Sequence, residues 1–88
     1  MIKNGMRPIH PGEFLQEDFL KPLGLSVNAL SEALQVPHSL LREVVDEKRG
    51  VTADMALRLE RHFGGDAQFW LDIQSAYDQR TAEIAAGE

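Results

Sequence analysis

Apolar residues recur three and four positions apart along almost the whole chain. No segment reads as a convincing strand. A chain with this single period buries its apolar side chains by packing helical stripes against one another. Local punctuation divides it into five short helices. Pro11 suits the first helical position, where a missing N–H costs nothing, and the apolar set Phe14, Leu15 and Phe19 runs to a stop at Pro22 with Gly24. Ser26 offers an N-cap hydroxyl to a second helix with Ala29, Leu30, Ala33 and Leu34 on one face. After Gln35-Val36-Pro37 a third helix carries Leu41, Val44 and Val45, and Gly50 marks its exit. Thr52 caps a fourth, with Ala56, Leu59 and Phe63 inward and Gly64-Gly65 at its end. Asp66 caps a fifth, whose apolar side is Phe69, Trp70, Ile73 and Tyr77. The expected architecture is all-α, a compact five-helix bundle with connections of about three to six residues.

The 88 residues read as one domain spanning 1–88, with an ordered core over about 8–82 and fraying at Ala85-Ala86-Gly87-Glu88. A chain this short has a small core, which excludes an enzyme built from separate cofactor and substrate domains. With no cysteine there is no disulfide framework, thiolate zinc site or cysteine nucleophile. His10, His38 and His62 are too scattered for metal ligation. No Gly-rich nucleophile turn accompanies Ser31 or Ser39, Glu13, Glu17 and Asp18 are spaced as a solvated helix face, and Gly64-Gly65 is a helix stop rather than a phosphate loop. No catalysis, metal or cofactor is expected. The opening Met1-Ile2-Lys3-Asn4-Gly5-Met6-Arg7 lacks the apolar stretch of a secretory leader, and no uninterrupted apolar run exceeds three residues. A cytoplasmic protein without a membrane span is the expectation.

Two of the helices are joined by about three residues, the second opening at a proline, which is the layout of a helix-turn-helix. Four stretches narrow this further: Pro8-Ile9-His10-Pro11-Gly12-Glu13-Phe14-Leu15, Phe19-Leu20-Lys21-Pro22-Leu23-Gly24-Leu25-Ser26, Val51-Thr52-Ala53-Asp54-Met55-Ala56-Leu57-Arg58-Leu59 and Phe69-Trp70-Leu71-Asp72-Ile73-Gln74. The His-Pro-Gly-Glu and the later Phe-Trp-Leu, together at this separation, are the specific part. Across roughly residues 7–80 the chain resembles the short HigA/VapI-type antitoxins, helix-turn-helix proteins of the Cro/C1 (XRE-like, lambda repressor-like) superfamily. The resemblance implies a dimeric antitoxin that neutralises an mRNA-cleaving, RelE-like toxin of the HigB type. It also implies binding to operator DNA and repression of its own operon. The chain departs from the usual family pattern at the recognition element. The family commonly has Gly at the position of Gln35, Asn-Gly at Asp46-Glu47, and basic residues at His38 and Leu40.

On a helical wheel Leu41, Val44 and Val45 define the inward face of the third helix, and Ser39, Arg42, Glu43 and Asp46 lie opposite. The N-terminal residues of such a helix reach base edges, which adds His38 and Leu40 to the candidate DNA contacts. Arg42 matches guanine O6/N7, Glu43 matches cytosine N4, and Ser39 is permissive. Lys48, Arg49 and Asn28 are candidates for phosphate, the first two competing with a reading as a solvated pair at a helix exit. In the fifth helix, Trp70, Leu71 and Tyr77 are the expected homodimer contacts, because so short a chain has little interior for that many large side chains. Two alternatives stay open: a protein-interaction module whose DNA surface has degenerated, favoured by the acids Glu43 and Asp46, and a stand-alone regulator of the same fold.

Net charge sharpens the question. The total of −5 is unfavourable to nucleic acid. Residues 1–34 hold three bases and four acids, residues 35–65 five of each, and residues 66–88 one base and five acids. The acidity is concentrated in the last helix and tail, away from the expected recognition segment.

Overall fold

The computed structural model describes residues 7–87; Met1–Met6, where no secretory leader is expected, and Glu88 of the expected frayed end lie outside them. Helix α1 is one rod in three pieces: α-helical Pro11–Leu15, a π turn over Gln16–Leu20 and α-helical Lys21–Leu23. It is followed by α2 (Val27–Leu34), α3 (His38–Val45), α4 (Ala53–Phe63) and α5 (Ala67–Ala85). These five helices, with no strand among the described residues, are the all-α architecture expected from the period.

Pro22 lies inside α1 rather than at its end. In an α-helix interior its ring meets the carbonyl four residues back. Here the preceding turn is widened, with the Lys21 N–H reaching the Gln16 carbonyl five residues earlier. Gly24, at φ 62°, then closes the rod, and the N–H groups of Leu25 and Gly24 return to the carbonyls of Leu20 and Lys21. Ser26, Thr52 and Asp66 each accept a backbone N–H from the first turn of the helix they precede, at 3.0, 3.2 and 3.0 Å.

The core gathers Leu15 and Leu20 from α1, Leu30 and Leu34 from α2, Leu41 and Val44 from α3, Met55 and Leu59 from α4 and Trp70 from α5. On α2 the buried face differs from the expected one. Val27, Leu30, Ser31 and Leu34 point inward, and Ala29 and Ala33 are exposed. Both sets share Leu30 and Leu34 and both have helical spacing. Burying Val27 removes more apolar surface than burying an alanine does. Ser31 is tolerated because its hydroxyl donates to the Asn28 carbonyl at 2.7 Å.

The connections flanking α3 are turned by residues that are not glycine. Gln35 (φ 61°) and Glu47 (φ 66°) both adopt the left-handed conformation. After Gln35 the N–H groups of Gln35 and Val36 bond the carbonyls of Glu32 and Ser31, and after Glu47 those of Glu47 and Lys48 bond Val44 and Glu43. These bonds satisfy the last carbonyls of α2 and α3, at the expense of an L-residue in a conformation that glycine adopts freely. Gln35→Gly is therefore expected to stabilise the fold by about 0.5–1 kcal/mol, read as a rise of roughly 2–8 °C in thermal midpoint. An unchanged or lower midpoint contradicts strain at this turn.

Candidate nucleic-acid interface

Helix α3 presents the face anticipated from its wheel. His38, Ser39, Arg42 and Asp46 are exposed, and Leu41 and Val44 are fully buried beneath them. Its N-cap is Pro37, which supplies no side-chain bond to the first turn, so the N–H groups there have no capping acceptor. Such a helix start favours anions. Asn28 is exposed in the first turn of α2. Leu40, the remaining candidate on this helix start, is half-buried and packs on the core. It stands one turn before Val44, so it flanks the inward stripe, as Val45 does on the other side.

Glu43 is not an isolated acid. Arg49 Nε donates to Glu43 Oε1 at 2.8 Å, folding the exit loop of α3 back on the recognition face. Both side chains are about half exposed, so the pair contributes little to stability. Its effect is to neutralise the carboxylate locally. His38 Nε2 lies 3.7 Å from Glu32 Oε2, an ion pair only when the imidazole is protonated. Among the described residues Arg42, Asp46 and Lys48 make no ion pair.

Two residues without an assigned role in the sequence reading position this surface. Arg58 of α4 donates from Nη1 to the Leu34 carbonyl (2.8 Å) and from Nε to Asp54 (2.8 Å), holding the turn between α2 and α3. Its spacing from Asp54 advertised a helix pair; the reach to a carbonyl 24 residues away had no sequence signal. Gln74 of α5 accepts the Val51 N–H at 2.7 Å, fastening the far end of the loop that carries Lys48 and Arg49.

The His-Pro-Gly-Glu stretch joins α1 to the same region. His10 Nδ1 accepts the Gly12 N–H at 2.8 Å, which fixes the neutral ring with its hydrogen on Nε2. Pro11 starts the helix. A Cβ on Gly12 would overlap the Val44 carbonyl oxygen at the end of α3. Glu13 takes both terminal nitrogens of Arg7, at 2.6 and 2.7 Å, and its carboxyl is held below the usual range by that hydrogen bond. His10 itself is 2% exposed and stacks edge-on against Tyr77 with ring centroids 4.8 Å apart.

Trp70, expected at a dimer edge, is instead in the core at 2% exposure. Its indole meets Phe14 and Phe19 of α1 at centroid distances of 5.8 and 5.4 Å. The interior proves able to hold it because α1 contributes an aromatic wall. Leu71 and Tyr77 are half-buried. Tyr77 lines an open apolar groove of about 450 Å³ with Ile9, Phe14, Phe69 and Ile73, and Ile9 and Phe69 are each 42% exposed at its margin. No group of three or more His, Asp and Glu among the described residues is arranged to hold a metal ion, and no helix among them is long and apolar enough to cross a membrane.

Comparison with known proteins places this geometry. Virulence-associated protein I of Dichelobacter nodosus is 60% identical over 92% of this chain and 75% of its own. Antitoxin HigA-1 of Vibrio cholerae is 38% identical over 89% of this chain and 73% of its own. The chain belongs to the HigA-type helix-turn-helix antitoxin family. Among solved structures, Pseudomonas aeruginosa antitoxin HigA with the higBA promoter superposes with a TM-score of 0.89 at 48% identity, covering 92% of this chain and 88% of that one. No profile of a known protein family matches the chain. Within this HigA-type fold, the departures at Gln35 and Glu47 leave the turns geometrically intact, since both residues adopt the φ that glycine would.

The buried His10 gives the junction a pH dependence. Desolvation lowers its pKa from the ordinary imidazole range, opposed by the charges of Glu47 and Asp78 and by the Arg49 backbone. A folded-state pKa below the unfolded one means that stability is present above the unfolded value and is lost as pH falls toward the folded one. Thermal midpoints should therefore drop below about pH 6.5, and the drop should be smaller for His10→Asn, whose amide oxygen can still cap Gly12. Equal slopes in the two proteins would place the sensitivity elsewhere.

Proposed function

We propose that this chain is the antitoxin of a type II toxin–antitoxin module of the HigBA kind. It binds and neutralises an RNA-cleaving toxin, and as a homodimer it represses its own operon through the helix-turn-helix. The observation that carries this reading is the exposed α3 face of His38, Ser39 and Arg42, in a fold that superposes at TM-score 0.89 on a HigA solved with its promoter. It is a binding module without catalysis and works in the cytoplasm.

In this reading Arg42 pairs with guanine, Ser39 and His38 contact bases at the helix start, and Glu43 accepts from cytosine while Arg49 shields its charge. Lys48, Arg49 and Asn28 meet phosphates on either side of the groove. The dimer forms at the apolar groove lined by Tyr77, Ile73 and Phe69 of α5, with the half-buried Leu71 on the same helix. That contact sets the two α3 helices about one DNA turn, ~34 Å, apart. Acidic residues Asp66, Asp72, Asp78 and Glu83 on and before α5 face a basic toxin surface. Asp46, an exposed acid on the recognition face that makes no ion pair among the described residues, favours the rival reading of an interaction module that has lost DNA.

Fluorescence anisotropy with the chain's own promoter DNA separates the two. The operator reading expects selective binding that weakens steeply with salt, and it expects Arg42→Ala to lose about 1–3 kcal/mol of specific affinity. Absence of any selective shift at low salt retires the repressor role. Sedimentation at tens of micromolar checks the dimer, a monomer there being the contrary result. Co-expression and pull-down with the neighbouring gene product checks the toxin, and failure of a small basic neighbour to co-purify would count against the antitoxin role.

A further inference from the structure

The loop between α3 and α4 carries Lys48 and Arg49, and what holds it is a side chain from the opposite end of the sequence. We infer that Gln74 of α5 is the positioning residue for these two cations, keeping them in register with the recognition helix. The inference rests on the operator reading above.

The loop leaves α3 through the left-handed Glu47, with the Lys48 N–H returned to the Glu43 carbonyl at 2.8 Å. Its other end is the Thr52 cap of α4. Between these points the Val51 N–H donates to no backbone carbonyl of the described residues; its acceptor is Gln74 Oε1, 2.7 Å away and 23 residues along the chain. Val51 is itself buried at 6% exposure. Without that acceptor a largely buried N–H is left unpaired, which is costly, or the loop shifts to hydrate it. The carboxamide cannot turn round, because its Nε2 donates to Asp78 Oδ1 at 2.9 Å one turn further along α5. Gly50 lies flush against it: a Cβ there would stand 2.9 Å from Gln74 Oε1. On the same helix Tyr77 packs edge-on against His10. Gln74, oriented by Asp78 one turn away, thus fixes the loop from α5. Gln74 supplies its one side-chain acceptor for a loop N–H among the described residues.

A phosphate contact from Lys48 or Arg49 is made cheaply only if the loop is already in place, because ordering it on DNA would subtract from affinity. Gln74→Met keeps the side-chain length and removes the acceptor. It is expected to weaken binding to the chain's own promoter DNA about 3- to 10-fold at low salt, with a log affinity–log salt slope shallower by about 0.9–1.8, the share of one to two phosphates. The double variant Gln74→Glu, Asp78→Asn restores an oxygen to Val51 with the helix pair reversed, and should recover affinity and slope. In a Lys48→Ala, Arg49→Ala background Gln74→Met should have no further effect. An unchanged slope, or an equal loss in that background, overturns the positioning role. Hydrogen exchange on the free protein reads the pin without DNA: the Val51 amide should lose protection in Gln74→Met while those of Leu30, Leu41 and Leu59 keep theirs, and unchanged Val51 protection overturns the inference. A wild type that shows no selective DNA binding removes the operator reading and this role together, whatever the exchange result.

Discussion

The backbone of α1 lies against the backbone of α3 where Gly12 meets the Val44 carbonyl, and the orientation of the recognition helix depends on that close approach. Any side chain at position 12 would drive the two helices apart. The neighbouring residues serve the same approach. His10 caps the turn from below, Pro11 enters the helix without an N–H to satisfy, and Glu13 ties down Arg7 on the outer side. With α1 seated there, Leu41 and Val44 close the core from one side and Trp70 closes it from the other. The surface that faces outward from α3 is then determined by helical geometry alone.

How much of this was legible in the sequence follows from the range of each interaction. Helix number, caps and the outward face of α3 are local properties, and Ser26, Thr52, Asp66 and the Leu41–Val44 spacing announced them. The inward face of α2 was misjudged because two registers had the same apolar period and a buried serine paired with its own backbone carbonyl is invisible in composition. Trp70 was misplaced for a related reason: whether a large ring finds room inside depends on Phe14 and Phe19 arriving from another helix. The roles of Arg58 and Gln74 rest on bonds to backbone atoms 24 and 23 residues away, and a sequence pattern carries no trace of such partners.

Electrostatics divides the molecule into two working regions. The segment around α3 is neutral in sum, and its Glu43 is paired with Arg49, so the face toward DNA carries less effective negative charge than its composition implies. The acidic excess lies on α5 and the tail. That same helix carries the apolar groove, lined in part by Tyr77, and the Gln74–Asp78 pair that meets the loop. A partner seated on α5 would therefore sit next to Gln74, whose carboxamide accepts the Val51 N–H.

The account stands on two recognition helices entering successive major grooves on one face of the operator. Hydroxyl-radical footprinting of the wild-type protein on its own promoter tests that geometry directly. The predicted result is two clusters of protected sugars, centred about one helical turn (~10–10.5 base pairs) apart on the same face of the duplex. A single protected cluster, or protection spread evenly along the DNA, would contradict it.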